Sequence, residues 1–356
     1  MQDRIKIGIV GGGFSREFAF DVHPGCEVVA VAEWDSQRRQ QMRDRYRCDV
    51  TYETLEELLQ DRNMHAVCLF TPAPEHARHS IAALKAGKHV LCAVPAAFTL
   101  EECQQLLDTV RATGQIYMMA ETNYYRQEPM LVREWYREGR FGEVFYTECE
   151  YWHEHLDRLM FHADGTPTWR YGLPPMHYPT HCVAFLTGIT GERLTRVQCV
   201  GWSDESEILK NNVYGNPFWN EIGFFQTDRG HCSRMLVGWH VGHPEVERAT
   251  WYGSAMSFIM RSPMGQPSAC SVSLQKETVE VPNFHERLPE ALRRDTGHSG
   301  APMHLTHEFV SALQEERRPT VDIYEALAYT APGIVAHRSA LNEGEVLPIP
   351  DFGRAD

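Results

Sequence analysis

The side chains best suited to chemistry in this sequence are histidines and tyrosines around residues 177–181. His181 follows the run His177-Tyr178-Pro179-Thr180, whose proline predicts a turn that aims the imidazole. Because imidazole exchanges protons near neutral pH, His181 is a candidate base; the alternative is a structural histidine that caps the next helix. Tyr178 lies on the same helix face as His181 if the helix begins at Tyr178. It is a candidate to orient a hydroxyl group or to act as a base; the alternative is a tyrosine that simply packs.

Three further polar side chains lie at or near the ends of predicted strands. Glu121 directly follows the predicted strand 116–120, and ligands bind at the C-terminal edge of a parallel sheet. It is a candidate proton donor or hydroxyl ligand, unless it is a solvated or salt-bridged glutamate. Tyr151 and His153 alternate along one strand and therefore share a face, where they either reach a substrate or pack.

The histidines also raise the question of a metal site. His177 and His181 have i,i+4 spacing, and His153 with His155 places two nitrogens on one face of a strand. However, Pro179 interrupts the first pair, and no nearby cysteine or carboxylate completes a ligand set. We therefore predict no bound metal.

A glycine turn near the start of the chain predicts a dinucleotide site. Gly11-x-Gly13, with Phe14 and Ser15, follows the apolar run 5–10 and enters a segment that can be helical to about Asp21. The first glycine permits the tight turn, and the second lets the backbone approach the pyrophosphate at a helix N-terminus. Arg16 stands where a third small residue is usual.

An acidic residue at the end of the second predicted strand strengthens this interpretation. Glu33 follows Gly11 by 22 positions, where a carboxylate can accept both ribose hydroxyls; Asp35 is a close rival. Either carboxylate would repel a 2′-phosphate, so NAD is favoured over NADP. A glycine turn that binds nothing is the alternative.

Strands and helices alternate up to about residue 123, which predicts βαβ units and a parallel sheet. Thr54 and Thr99 each open a predicted capping box. The predicted strands are 5–10, 27–32, 65–70, 89–92 and 116–120, and the predicted helices are 36–46, 54–60, 74–86 and 99–112.

Longer alternating segments follow and predict an antiparallel or mixed sheet. They are 144–152, 196–202, 222–227 and 232–239, with helices at 131–138, 304–316 and 323–341 and an irregular excursion at 282–303. We predict an α/β protein. A doubly wound parallel Rossmann domain binds NAD over 1–123, and an α/β domain with a large open sheet serves substrate binding and oligomerisation over 124–356.

Composition narrows the partners and the compartment. The length of 356 residues suits two domains. The net charge of −14 argues against nucleic acid and membrane surfaces as partners. No run approaches the roughly 20 apolar residues of a membrane helix. Ten scattered cysteines without C-x-x-C spacing, and no visible secretory leader, predict a reducing, cytoplasmic location.

Several segments together resemble the Gfo/Idh/MocA oxidoreductase family. They are the glycine turn, Phe70-Thr71-Pro72 with His76, Ala86-Gly87-Lys88-His89-Val90-Leu91-Cys92, and Pro350-Asp351-Phe352. The resemblance covers essentially the whole chain and implies NAD(P) chemistry on a sugar or polyol. It also implies a C-terminal sheet that makes oligomer contacts, hence a homodimer or homotetramer. Thr71, Pro72, His76 and Pro95 are the further cofactor-binding positions that it implies.

One branch of the family, the NAD-dependent glycosidases such as α-N-acetylgalactosaminidases, is more similar than the rest. The usual Glu-Lys-Pro is replaced by Ala93-Val94-Pro95, which removes the proton-transfer lysine, and His177 stands where dehydrogenases carry an aspartate. The segments that resemble the glycosidases are 94–97, 118–123, 151–153, 178–181, 297–300 and 322–326. The segment 216–220 departs from that branch and leaves the sugar open.

This resemblance implies a redox-neutral hydrolysis. NAD takes hydride from sugar C3, the ketone acidifies the C2 hydrogen, the C1 substituent leaves, water adds and the hydride returns. His181 is then expected at the C3 hydroxyl with Tyr178, Glu121 at the leaving group, and Tyr151 and His153 within reach of the sugar. The expected substrate contacts are Arg126, Trp169, Arg170, His177 and His298.

Two other functions stay open at this point. A net sugar or polyol dehydrogenase would use His177 or His181 in place of the missing lysine. A non-catalytic NAD-binding sensor would need no acid–base array, which the crowded histidines, tyrosines and glutamates argue against.

Overall fold

The computed structural model of the protein describes residues 4–153, 156–204, 209–242, 244, 246–294 and 296–355. The chain forms two compact units. Unit 1 comprises Met1–Arg126, Asn283–Leu327 and Phe352–Asp356, and unit 2 comprises Gln127–Pro282 and Ala328–Asp351. The predicted boundary at residue 123 lies just before Arg126, where the chain first passes from unit 1 to unit 2. Two later segments, Asn283–Leu327 and Phe352–Asp356, belong to unit 1 again. As a division of binding roles, the boundary stays a prediction.

Helices and strands follow in this order. The helices are α1 (Ser36–Tyr46), α2 (Leu55–Leu58), α3 (His76–Lys85), α4 (Leu100–Thr113), α5 (Gln127–Arg137), α6 (Leu156–Leu159), α7 (Thr180–Thr190), α8 (Ala301–Gln314) and α9 (Ile323–Leu341). The strands are β1 (Ile5–Val10), β2 (Cys26–Ala32), β3 (Thr51–Tyr52), β4 (Ala66–Leu69), β5 (His89–Cys92), β6 (Tyr117–Met119), β7 (Val144–Trp152), β8 (Leu194–Trp202), β9 (Asn220–Thr227), β10 (Cys232–Gly238), β11 (Val246–Gly253), β12 (Met256–Ile259), β13 (Ala269–Val272), β14 (Gln275–Thr278) and β15 (Leu347–Pro348).

The sheet of unit 1 is the predicted doubly wound Rossmann sheet. Its six strands run parallel in the order β3-β2-β1-β4-β5-β6. Every residue of β4 is buried, as expected for a parallel strand that is covered on both faces. Helix α4 begins with the predicted capping box, since Thr99 and Glu102 accept each other's backbone N–H. The C-terminal ends of β1, β2, β4 and β5 therefore share one edge.

The segment after the glycine turn does not form the predicted helix to Asp21. Only Phe14–Glu17 makes a short 3-10 turn, and the chain is extended at Phe18. A helix would place Phe18 and Phe20 on opposite sides. Both rings are instead fully buried and stacked at 6.1 Å between centroids. Burial of both aromatics outweighs the local helical tendency.

The excursion predicted at 282–303 packs within unit 1. It contains short 3-10 turns, and its Leu288 and Leu292 form a buried cluster with Ala19 and Met303. This long-range apolar contact explains why the chain returns to unit 1. None of the helices traced in the described ranges is both long and apolar enough to cross a bilayer.

Unit 2 contains a nine-stranded mixed sheet in the order β14-β13-β12-β11-β7-β10-β9-β8-β15. Strands β7 and β10 pair in parallel, and the other neighbours pair antiparallel. Helix α7 packs against β7, β10 and β11. The face of β7 with Thr147, Cys149 and Tyr151 is buried, whereas the opposite face is only half-buried. The sheet thus has one covered face and one open face.

Candidate active site

The glycine turn of unit 1 has the shape that a dinucleotide requires. Gly11 adopts φ +94°, and a Cβ there would lie 2.4 Å from the Phe70 carbonyl oxygen, so no other residue fits. At Gly13, by contrast, no heavy atom lies within 4 Å of a Cβ position. Gly13 is exposed, and Phe14 and Ser15 follow it in the 3-10 turn. The turn leaves room beside its backbone for phosphate groups.

Glu33 lies directly beside this turn and is 6% exposed. Its Oε2 accepts the Gly12 N–H at 2.6 Å, and its Oε1 accepts the Asp35 N–H at 3.1 Å. The carboxylate of the rival, Asp35, accepts the Arg38 N–H at 2.8 Å and caps α1. Glu33 is therefore the acidic group held at the glycine turn, where its remaining lone pairs suit ribose hydroxyls.

His76 connects two loops at the same edge of the sheet. Its Nδ1 lies 2.8 Å from the Pro95 carbonyl oxygen and its Nε2 lies 2.9 Å from that of Thr71. Burial lowers its pKa, but the Cys92 thiol and the two carbonyls raise it more, so the net shift is upward. The two ring nitrogens each lie within hydrogen-bond distance of one carbonyl oxygen, so the ring connects the segments with Thr71-Pro72 and Val94-Pro95.

Glu121 is fully buried where β6 ends. One carboxylate oxygen accepts the Asn123 N–H at 2.9 Å and caps the 3-10 turn Thr122–Tyr125, which Arg126 follows. This cap fixes the direction of the carboxylate. The roles predicted for Glu121 and Arg126 stay predictions.

His298, a predicted substrate contact, lies beside the glycine turn in unit 1. Its ring is 5.3 Å from that of Phe14, and its Nδ1 is 2.7 Å from Glu17 Oε2. His298 and Ser299 both have φ 54°, a left-handed conformation that is unusual for residues with a side chain. The loop therefore presents the imidazole next to the cofactor turn at a cost in backbone strain.

In unit 2, the structure brings four of the five predicted catalytic residues together. The Tyr151 ring lies 4.6 Å from His181, 6.5 Å from Tyr178 and 6.0 Å from His153, between centroids. Tyr178 lies 6.0 Å from His181. Buried Trp239 lies within 6.4 Å of Tyr151, His153 and Tyr178. We call these five residues the aromatic cluster.

The local sequence explains how the cluster forms. Residues Pro175–His177 make a 3-10 turn, Pro179 is the N-cap of α7 without a side-chain bond, and α7 begins at Thr180. His181 therefore lies inside the first turn of α7 and not at its N-cap, which is Pro179. Its catalytic role stays a prediction. Tyr178 precedes the helix, and the turn brings its ring towards His181.

His177 faces a different neighbour. Its ring packs edge-on against His337 at 5.4 Å. Burial, together with His337 and Arg338, lowers the pKa of His177 to about 3, so it is neutral at physiological pH. Across the described ranges, no group of three or more histidine, cysteine or acidic residues could hold a metal. His155 lies outside those ranges.

Trp169 and Arg170 pack on each other. The Arg170 guanidinium lies 4.1 Å above the centre of the Trp169 ring, so one face of this indole is occupied. The chain continues to Leu173, whose carbonyl accepts the Trp239 Nε1–H at 2.8 Å. Sequence reasoning missed Trp239, although it ends the predicted strand 232–239. Only the parallel pairing of β10 with β7 places it beside Tyr151.

Known families match both ends of the chain. Residues 5–121 match the family described as "Oxidoreductase family, NAD-binding Rossmann fold", and residues 262–356 match "Glycosyl hydrolase 109, C-terminal domain". A glycosyl hydrolase family 109 protein of Shewanella sp. (strain W3-18-1) is 31% identical over 99% of this chain and 86% of its own length. An alpha-N-acetylgalactosaminidase of Shewanella oneidensis is 30% identical, with 98% and 85% covered.

Solved structures share the fold. Levoglucosan dehydrogenase in complex with NADH has a TM-score of 0.80 and 16% identity, with 98% of this chain and 100% of that chain covered. Scyllo-inositol dehydrogenase from Lactobacillus casei, with bound NAD(H) and scyllo-inositol, has a TM-score of 0.76 and 14% identity, with 97% and 99% covered. At these identities the likeness concerns the fold alone.

We predict that Glu33→Ala weakens NAD binding about 10- to 100-fold and reduces discrimination against NADP. Charge-assisted hydrogen bonds contribute about 1.5–3 kcal/mol, and the variant loses both these bonds and the repulsion of a 2′-phosphate. Calorimetric titration with NAD and NADP measures both effects. Asp35→Ala is the matched control, since it removes a helix cap only; a larger effect there would assign the ribose to Asp35 instead.

Proposed function

This chain belongs to glycosyl hydrolase family 109, and we propose that it is an NAD-dependent enzyme that hydrolyses a glycoside without net oxidation or reduction. The observation that carries the proposal is the aromatic cluster of unit 2, in which the phenol rings of Tyr151 and Tyr178 both lie beside the His181 imidazole. The dinucleotide turn of unit 1 supplies the other requirement. Neither a sensor nor a simple binding module needs such an array of proton-transfer groups.

The residues of unit 1 fit NAD. The open space at Gly13 suits the pyrophosphate, and the Glu33 carboxylate at the turn suits the adenosine ribose. Thr71, Pro72, His76 and Pro95 are the proposed contacts at the neighbouring strand ends, in loops that the His76 ring ties together. When bound, NAD supplies a reversible hydride acceptor for sugar C3.

The remaining chemistry belongs to side chains. His181 takes the proton of the C3 hydroxyl, and Tyr178 orients that hydroxyl. Once C3 is a ketone, the C2 hydrogen is acidic, and Tyr151 or His153 removes it. Glu121 donates a proton to the C1 leaving group, after which water adds to the unsaturated sugar and the first steps reverse.

Substrate contacts follow from the same proposal. The proposed contacts to the sugar or its leaving group are Arg126, Trp169, Arg170, His177 and His298. His177 serves as a neutral hydrogen-bonding group, because its lowered pKa keeps it uncharged. Trp169, which is half-buried and stacked on Arg170, is proposed to pack against an apolar sugar face.

We also propose a cytoplasmic homodimer or homotetramer that forms through the open face of the unit 2 sheet. All ten cysteines are free thiols and nine are buried, which suits a reducing compartment. The open face carries the exposed apolar side chains Val200, Trp202 and Phe224. Arg234 and Arg248 pair with Glu150 on the same face. An apolar patch with a polar rim is typical of a subunit interface.

A turnover experiment in D₂O tests the reaction. We expect the protein, with NAD and a panel of aryl glycosides, to release the aglycone, incorporate deuterium at C2 and accumulate no NADH. Removal of the C2 proton followed by solvent return explains the label. Absorbance and NMR measure all three quantities. Accumulation of NADH with an intact glycosidic bond would instead identify a net dehydrogenase, and NAD binding with neither reaction would identify a sensor.

His181→Ala is expected to slow aglycone release at least about 100-fold, because general base catalysis contributes factors of roughly 10² to 10⁴. Its NAD affinity should stay within about twofold, since the glycine turn and Glu33 are untouched. Steady-state rates and a binding titration measure the two effects. His240→Ala, at a side chain of unit 2 that is 55% exposed, is the control. A near-normal rate for His181→Ala would disprove the assigned role.

Phe224→Glu is expected to dissociate the oligomer to the 40.8 kDa chain, because it places a charge in an apolar contact. Light scattering after size exclusion measures the mass. Val213→Glu is the control, since Val213 is 86% exposed and lies outside the strands. An unchanged mass for Phe224→Glu would place the subunit contact elsewhere.

A further inference from the structure

A buried carboxylate contacts the 3-10 turn that precedes Tyr178 and His181. Glu221 of β9 is fully buried, and its Oε1 lies 2.8 Å from Nδ1 of His337 in α9, which is itself 5% exposed. Burial of a carboxylate is costly unless its oxygens are hydrogen-bonded. Such a residue is therefore held in place by what it contacts.

The second oxygen of Glu221 contacts the turn itself. Its Oε2 accepts the backbone N–H of Met176 at 2.7 Å. Met176 is the middle residue of the 3-10 turn that precedes Tyr178. One carboxylate thus links β9, α9 and the backbone of this turn.

Helix α9 also approaches the same turn directly. A Cβ at Gly333 would lie 1.9 Å from the Met176 carbonyl oxygen and 2.3 Å from the Pro179 ring. Gly333 precedes His337 by one helical turn, so both face the turn from one side of α9. The backbone at Met176 is therefore fixed through its N–H by Glu221 and through its carbonyl side by Gly333.

The sheet register aligns Glu221 with the aromatic cluster. Glu221 pairs with Val237, and Val237 pairs with Tyr151, so the three residues form one row across β9, β10 and β7. Paired residues point to the same face of a sheet. Glu221 therefore supports the turn from the same covered face on which Tyr151 meets His181.

From this geometry we infer that Glu221, held by His337, is a positioning residue that sets the placement of Tyr178 and His181 against Tyr151. Displacement of a catalytic group by about 1 Å costs roughly 100-fold in rate. Glu221 acts through the backbone of Met176 and not on the substrate. The inference rests on the proposed function where it concerns turnover.

A matched pair of variants tests the role. Glu221→Gln keeps an oxygen that accepts the Met176 N–H. Its amide N–H donates to Nδ1 of His337 when that ring carries its proton on Nε2, so kcat should stay within about threefold. Glu221→Met has similar length but no acceptor, and should lower kcat at least about tenfold while KM changes less than threefold. Glu192→Met is the control: Glu192 is also buried and paired with a histidine, His231, but that pair does not contact the turn.

Two results would overturn the role in turnover. One is a normal kcat in Glu221→Met, and the other is an equal loss in Glu192→Met, which would indicate general destabilisation. If Glu221→Met does not fold, Glu221→Asp replaces it. That variant keeps the charge but is one methylene too short to span both contacts, so its kcat should fall with KM preserved. A normal kcat there overturns the inference equally.

Hydrogen exchange of the intact protein supplies a readout that does not depend on activity. The amides of residues 176–178, 180 and 181 should exchange at least about tenfold faster in Glu221→Met than in the wild type, and at wild-type rates in Glu221→Gln and Glu192→Met; the three prolines of this segment carry no N–H. Unchanged exchange in Glu221→Met would overturn the positioning role. If the wild type releases no aglycone, the proposed function fails, while this measurement still decides whether Glu221 holds the turn.

Discussion

Burial of helix α7 against the covered face of the unit 2 sheet is the constraint on which the candidate chemistry depends. The helix is apolar on nearly all sides, as a helix enclosed by protein must be. The Trp251 indole donates to its Phe185 carbonyl at 2.6 Å and fixes its position along the sheet. Because His181 lies in the first turn of this helix, its ring is located by core packing and not by a surface loop. The same contact brings it against Tyr151.

Local patterns in the sequence predicted most of the fold. The limits of β7 coincide with the predicted segment, because buried residues alternate along that strand. The limits of α9 coincide with the predicted segment as well. The prediction was wrong after Gly13, because the burial of Phe18 and Phe20 depends on residues distant in sequence. Likewise, nothing near Leu288 indicates that it packs against Ala19. Such contacts cannot be predicted from local sequence, because they form between residues that are distant along the chain.

The candidate site also contains residues that local sequence patterns predict and residues that they do not. Tyr151, His153, Tyr178 and His181 were predicted because each lies at or near the end of a recognisable strand or helix. Trp239 and Glu221 were missed, because their relation to Tyr151 arises through the strand order β7-β10-β9. That order is not the order of the chain, and no spacing rule connects the three strands. Side chains that assemble across such pairings look like ordinary core residues in the sequence.

The contacts of Glu33 have a consequence for its proposed role in NAD binding. Its two oxygens already accept the N–H groups of Gly12 and Asp35, so the side chain occupies one rotamer before any ligand arrives. Ordering a free glutamate costs about 1.5 kcal/mol of conformational entropy. This conformational entropy is lost when the chain folds, so the proposed ribose contact would meet a preorganised acceptor. In this proposal, part of the affinity for NAD is determined by folding and not by the binding step.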